Sequence, residues 1–150
     1  MKNEQTVLFI GHRECYGLSR QYVRNTIEQA ILSGYTNFLN GGQGAFDRMC
    51  AGCVHELRSQ YPYIKNYLVL PYFSFHVFDS SFFDELILPE SIEKYSYKAA
   101  IPARNRYLVA HASCAICYIN HNWGNAAKTF SKAIKSGLMI YNLGIFSNSI

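Results

Sequence analysis

The chain has 150 residues, of which 49% are hydrophobic and 16% are charged, and its formal net charge is +4. These values are those of one globular domain that buries a core without disulfides or metals, so we expect a single domain over residues 1–150. They exclude a chain dominated by basic runs, and the longest apolar stretch, at 107–119, falls short of the roughly 18–20 residues of a membrane span.

The first half of the chain alternates short apolar runs with stretches of helical periodicity. Residues 6–10 form a continuous apolar run with β-branched members, which is typical of a buried parallel strand. Between 19 and 33 the apolar residues recur at helical spacing, and Gly34 follows as a usual helix terminator. The same signals predict a strand at 35–39, a helix at 46–59 and a third strand at 67–70.

The second half continues this alternation after an aromatic segment that has no periodicity. Residues 72–81 are interpreted as a loop that covers a site. A helix is predicted at 103–112, with Pro102 near its first turn. The remaining predicted elements are strands at 85–88, 114–119 and 138–143, a helix at 125–136 that ends before Gly137, and a loose tail at 145–150.

The order of these elements predicts one architecture. Short apolar strands that alternate with helices form parallel sheets, and right-handed crossovers place the helices on both faces. We therefore expect an α/β fold with a Rossmann-like, doubly wound, mostly parallel sheet. Ligands bind such sheets beyond the carboxyl ends of the strands, so the residues that follow each strand are site candidates.

Three strand ends carry residues suited to an anionic, nucleotide-like ligand. Glycines let backbone N–H groups approach a phosphate, and the N-terminus of a following helix adds its dipole. Trp123 is able to stack on a base, whereas Asp47 either contacts ligand hydroxyls or only complements the helix dipole. The candidates are Gly11, His12 and Arg13 after the first strand, Gly41, Gly42, Gln43, Gly44 and Asp47 after the second, and Asn120, Trp123, Gly124 and Asn125 after the fifth.

Two Cys-x-x-Cys pairs raise the alternative of a metal site. Cys50 and Cys53 fall within a predicted helix, where they share one face. Cys114 and Cys117 fall within a predicted strand, where residues three apart point to opposite faces. This geometry disfavours zinc, and we expect small buried thiols with no metal and no other cofactor.

Five ordered segments resemble the SLOG superfamily, most closely its short stand-alone members from bacteria and phages. They are Phe9-Ile10-Gly11-His12-Arg13, Asn40-Gly41-Gly42-Gln43-Gly44-Ala45-Phe46-Asp47, Arg104-Asn105-Arg106-Tyr107-Leu108-Val109, Trp123-Gly124-Asn125-Ala126-Ala127-Lys128-Thr129 and Asn142-Leu143. The superfamily is similar to the lysine-decarboxylase-like LOG enzymes and to the nucleotide-binding domain of the DprA/Smf proteins. The resemblance implies a Rossmann-like fold that binds nucleotides or ADP-ribose-derived signals, including cyclic ADP-ribose-type molecules in antiphage systems. Arg104, Asn105 and Arg106 join the site candidates, and the sequence leaves open which arginine faces the site.

The resemblance supplies three functional hypotheses. The leading one is a protein that binds a nucleotide or ADP-ribose-derived small molecule and senses or sequesters it. The second is a nucleoside 5′-monophosphate phosphoribohydrolase. LOG enzymes carry Pro-Gly-Gly-x-Gly-Thr-x-x-Glu where residues 121–129 have one glycine and no acid. Asp47 is the only carboxylate left in the motifs and the candidate catalytic residue, with Asp79, Asp84 and Glu85 as alternatives.

The third hypothesis is a DprA-like protein that binds nucleic acid. We disfavour nucleic acid as a partner because the sequence has no dense basic stripe with interleaved aromatic residues. We expect a homo-oligomer without a membrane partner, in the cytoplasm of a bacterium or of a phage-infected host cell.

Overall fold

Six parallel strands form the central sheet of the protein. The computed structural model describes residues 1–145, and the tail expected at 145–150 lies outside them except for Ile145. The strands are β1 (Thr6–Gly11), β2 (Asn37–Asn40), β3 (Lys65–Val69), β4 (Glu85–Ile87), β5 (Cys114–Tyr118) and β6 (Met139–Asn142). Their order across the sheet is β4-β3-β2-β1-β5-β6, and each neighbouring pair is parallel.

Helices cover both faces of this sheet. They are α1 (Arg20–Leu32), α2 (Ala45–Leu57), α3 (Glu90–Glu93), α4 (Tyr97–Ala110) and α5 (Asn125–Lys135), with short 3₁₀ helices at Asn3–Gln5 and Ser80–Phe82. Val7 and Phe9 of β1 belong to the hydrophobic core that includes residues of α1 and α2. The alternate residues Leu8 and Ile10 belong to the core that includes residues of α4 and α5. The expected Rossmann-like, doubly wound α/β fold is therefore confirmed.

The helix ends follow the local signals in the sequence. Ser19 caps α1, since its side chain accepts a hydrogen bond from the Tyr22 N–H at 3.2 Å. Gly34 and Gly137 follow α1 and α5 with φ values of +109° and +82°, a backbone conformation that glycine adopts without steric cost.

The start of α4 differs from the expectation. The helix begins at Tyr97, six residues before the predicted start at 103, and Pro102 lies inside it. Pro102 removes the donor that would pair with the Lys98 carbonyl. Both residues are exposed, so water is able to reach that carbonyl, while Ala100 and Ala103 are buried and anchor the helix. The short helix α3 was not predicted either.

The cysteines pack in the two hydrophobic cores on either side of the sheet. Cys50 and Cys53 pack in the core beneath α2, whereas Cys114 belongs to that core and Cys117 to the opposite one. All five cysteines are free and buried. Within residues 1–145 no cluster of His, Cys, Asp or Glu side chains has the grouping of a metal site.

No helix in the described part of the chain is both long enough and apolar enough to cross a membrane.

Candidate functional site

A cavity of about 580 Å³ lies at the carboxyl ends of β1 and β5. Strands β2, β3 and β4 lie on one side of β1, and β5 and β6 lie on the other, so the strand order reverses between β1 and β5. Chain connections leave this point in opposite directions and open a crevice, which is where ligands bind in open α/β sheets. Gly11 and Tyr118 pair at its floor.

Most of the residues proposed from the sequence lie around this cavity. They are Gly11, His12, Arg13, Gly41, Gln43, Asp47, Arg104, Asn105, Asn120, Trp123, Gly124 and Asn125. Gly42 and Gly44 instead line a second depression on the other side of the same turn. Arg106 is exposed, and its guanidinium lies 5.7 Å from the centre of the Tyr95 ring. Of the two candidate arginines, Arg104 therefore lines the cavity.

The turn between β2 and α2, residues 41–44, is held in a fixed shape and is called the Gly turn below. The buried Asn40 side chain accepts from the Gly42 N–H at 2.7 Å and donates to the Asp47 carbonyl at 2.7 Å. Gly42 has φ of +69° and packs so closely that a Cβ there would lie 2.8 Å from Leu68. Asn40 was quoted in the motif but not proposed as a site residue, and its role is to shape the Gly turn.

Asp47 lines the cavity and has one carboxylate oxygen without a partner among the described residues. It lies in the first turn of α2 and is only 7% exposed. Its Oδ2 accepts from the Gln43 N–H at 2.9 Å, whereas its Oδ1 is buried without a partner among the described residues. Burial raises the pKa of Asp47 to about 6, although the Gln43 N–H and the positive charge of Arg104 act to lower it. A carboxyl with a pKa close to neutral is suited to exchange a proton.

Arg104 fixes the Gly turn from the side of α4. It is fully buried, and Nη1 donates to the carbonyls of Gly41 at 2.7 Å and Val69 at 2.8 Å. Nη2 donates to Gln43 Oε1 at 2.8 Å, and Nε donates to Asn105 Oδ1 at 2.9 Å. Burial lowers the pKa of Arg104 to about 10, opposed by the nearby charge of Asp47. Its main role is thus to position the Gly turn, with one guanidinium N–H left over.

Three stacked rings line another part of the cavity. The centroids of His12 and His121 are 3.5 Å apart, and those of His121 and Trp123 are 3.8 Å apart. The backbone N–H of Asn120 donates to His12 Nε2 at 3.2 Å, so His12 is neutral and carries its proton on Nδ1. Burial and the neighbouring His121 lower the pKa of His12. Trp123 is 69% exposed and presents its outer face at the mouth of the cavity.

His121 was missed as a site residue. It lies in the turn after the fifth strand, next to the candidates Asn120 and Trp123, and its position there is the signal that could have found it. Further lining residues that were not proposed are Glu14, Tyr16, Tyr118 and Thr129.

The N-terminus of α5 opens into the same cavity. Gly124 precedes the helix with φ of +94°, and Gly124, Asn125 and Ala126 line the cavity. Within residues 1–145 the backbone N–H groups of Asn125 and Ala126 have no acceptor. Unpaired N–H groups and the helix dipole together suit an anion.

Comparison with known proteins shows the fold of this chain. No protein-family model and no curated protein matches it. Among solved structures, DNA processing protein A (DprA) from Streptococcus pneumoniae matches with a TM-score of 0.64 and 15% identity. The match covers 93% of this chain and 50% of that protein, so this chain spans half of its length.

DprA from Helicobacter pylori matches with a TM-score of 0.66 and 14% identity, over 97% of this chain and 68% of that protein. Its structure is described as giving insights into its single-stranded DNA binding mode. This overturns the expectation that disfavoured nucleic acid, because a protein with this fold binds it. A basic stripe in the linear sequence is not required, since folding brings together arginines that are far apart along the chain.

Proposed function

We propose that this protein binds a nucleotide or ADP-ribose-derived small molecule in the cavity and acts as a sensor or sequestering protein of the stand-alone SLOG type. The observation that carries the proposal is a cavity lined by a helix N-terminus, an exposed tryptophan and Asp47, whose buried Oδ1 has no partner among the described residues. A buried acceptor without a partner is costly, so a donor from a ligand is the simplest reason for its retention.

The parts of a nucleotide match separate parts of the cavity. The N-terminus of α5 and the side chain of Arg13 suit a phosphate. Asp47 Oδ1 accepts from a ribose hydroxyl, and Trp123 stacks on a base. The ligand therefore carries an anion, a hydroxyl and an aromatic ring, which excludes inorganic phosphate and simple sugars as full ligands.

Liquid chromatography with mass detection tests this proposal. The purified protein is incubated with AMP, NAD, ADP-ribose and cyclic ADP-ribose, and the free pool is compared with the pool released by heat. A compound that leaves the free pool and returns intact on heating is the expected result. Arg13→Ala should abolish this uptake, whereas Arg106→Ala is the matched control, because Arg106 lies outside the cavity. Uptake of no compound by the wild-type protein would contradict the proposal.

The same experiment decides the enzymatic alternative. A free base that accumulates with time would identify an N-glycosidic hydrolase, for which the near-neutral pKa of Asp47 is suited. Asp47→Asn should then abolish turnover.

A second candidate is binding of single-stranded nucleic acid, favoured by the structural likeness to H. pylori DprA. Phosphodiester binding depends steeply on salt because counterions are released. Fluorescence anisotropy with a labelled oligodeoxythymidylate at two salt concentrations tests it, and the absence of binding at low salt would exclude it.

A further inference from the structure

A second depression of about 770 Å³ lies on the other side of the Gly turn from the cavity. It runs between the exposed face of α2 and the aromatic segment 72–83. Three arginines line it: Arg13 from the turn after β1, Arg20 from the start of α1 and Arg48 from α2. We call it the arginine groove.

The arginine groove has an excess of positive charge. No carboxylate of residues 1–145 lies within 4 Å of the guanidinium of Arg13 or Arg48. Arg20 pairs with Glu56 at 2.9 Å, but that carboxylate also contacts Arg24 at 3.5 Å and is shared. The one acidic side chain that lines the groove, Asp79, accepts from the N–H and hydroxyl of Ser81 through Oδ1.

Arg48 is held in place by an aromatic side chain. Its guanidinium lies 5.2 Å from the centre of the Phe78 ring, which also lines the groove. A cation over a ring loses less conformational entropy when it pairs with an anion, because its position is already restricted.

Arg13 joins the arginine groove to the cavity, since it lines both. Its backbone is fixed to the Gly turn, because its carbonyl accepts from the Ala45 N–H at 2.8 Å. A Cβ at Gly44 would lie 2.6 Å from Arg13 Cα, so the two segments are in direct contact. Arg13 is exposed and therefore stands at the boundary between the two depressions, within reach of a ligand that occupies both.

Each depression has its own helix N-terminus. That of α5 opens into the cavity, whereas Gly44 and Ala45 at the start of α2 line the arginine groove. The N-terminus of α5 on one side of the Gly turn and Arg48 on the other, with Arg13 between them, make two separate places for an anion.

We propose that the arginine groove binds a second phosphate group, so that the ligand carries two phosphates and lies across the Gly turn. The inference rests on the proposed function, because the first phosphate is the one that it places in the cavity. Two phosphates of this kind come from a phosphodiester-linked dinucleotide or from a pyrophosphate such as ADP. The separation by a turn of the chain favours the phosphodiester.

Isothermal titration calorimetry with three probes tests the second phosphate site. The probes are AMP, ADP and pApA, the 5′-phosphorylated dinucleotide of adenosine. We expect pApA to bind at least about tenfold more tightly than AMP, because a charge-assisted contact contributes about 1.5–3 kcal/mol, which is roughly a tenfold to hundredfold change in affinity. Arg48→Ala should lower the affinity for pApA to that for AMP. Arg106→Ala, an exposed arginine outside both depressions, is the control and should keep the wild-type preference.

The outcomes separate this inference from the proposed function. If AMP binds and pApA gains nothing, or if Arg48→Ala weakens AMP and pApA by the same factor, the second site is wrong while the proposed function stands. A third outcome is that ADP, and not pApA, binds more tightly than AMP and loses this gain in Arg48→Ala. The second phosphate site then stands, and a phosphodiester-linked ligand is excluded. If none of the three probes binds, the second phosphate site is wrong, and the proposed function is decided separately by the uptake of NAD, ADP-ribose and cyclic ADP-ribose.

Discussion

Replacing Asp47 by asparagine should make the protein more stable at pH 8 and less able to bind its ligand. Burial holds the pKa of Asp47 at about 6 in the folded protein, against 3.8 as the ordinary value. The folded state therefore binds more protons between these pH values, and the free energy of unfolding falls as the pH rises through this window. At about 1.4 kcal/mol per pKa unit, the ionised carboxylate costs about 3 kcal/mol above pH 6.

Asp47→Asn removes this cost and retains the shape of the side chain. The asparagine oxygen still accepts from the Gln43 N–H, and its amide replaces the unpaired Oδ1 at a cost of about 1 kcal/mol. The variant should thus gain about 2 kcal/mol at pH 8 and lose about 0.5 kcal/mol at pH 4, where the wild-type carboxyl is protonated in the folded state and about half protonated in the unfolded state. Its ligand affinity should fall by about tenfold or more.

Urea unfolding of both proteins at pH 4 and pH 8 measures these differences. Asp79→Asn is a matched control, since hydrogen bonds from Ser81 lower the pKa of Asp79 and ionisation favours the folded state there. The control should show no gain at pH 8. A stability difference between wild type and Asp47→Asn that does not change with pH would refute the argument from burial.

Three other variants test the remaining parts of the site. Arg104→Met leaves two buried carbonyls without donors and should cost about 2–4 kcal/mol in urea unfolding; wild-type stability would contradict its role in fixing the Gly turn. Gly44→Ala places a Cβ 2.6 Å from Arg13 Cα and should lower the melting temperature by the equivalent of about 1–3 kcal/mol, while an unaltered melting temperature would mean that the contact relaxes freely. Trp123→Ala should change stability by less than about 0.5 kcal/mol, since Trp123 is 69% exposed, but weaken ligand binding by about 1–3 kcal/mol in calorimetry; equal binding would exclude base stacking.

The sheet was predictable from the sequence because its signals are local. The run at 6–10 is buried on both faces and reads as apolar throughout, and the glycines after α1 and α5 mark helix ends by their backbone freedom alone. The start of α4 was not predictable in the same way. Pro102 usually marks a first turn, and only the exposure of Pro102 and Lys98 in the folded chain explains why a helix passes through it.

The sequence predicted which residues lie at the cavity when those residues directly follow a strand. It predicted this less well when the position of a residue depends on how the helices pack. The rule that ligands lie beyond the carboxyl ends of strands brought Gly11 and Trp123 to one cavity. It did not decide between Arg104 and Arg106, which are two residues apart on one helix and point to different surroundings. Nor did it find the arginine groove, because Arg48 is distant from Arg13 in the sequence and reaches the groove only through the packing of α2.

Arg104 and Asp47 both form hydrogen bonds to the Gly turn and not to each other. This arrangement explains why the charge of Asp47 is buried without an ion pair. No ion pair within 4 Å joins them in residues 1–145, although each shifts the pKa of the other. Both hold Gln43 instead: its side chain accepts from Arg104, and its backbone N–H donates to Asp47. A direct pair would satisfy both charges but would use the Asp47 oxygen that now has no partner among the described residues. Retaining that oxygen lowers stability, and under the proposed function it leaves an acceptor for the ligand, which is the usual exchange between stability and function.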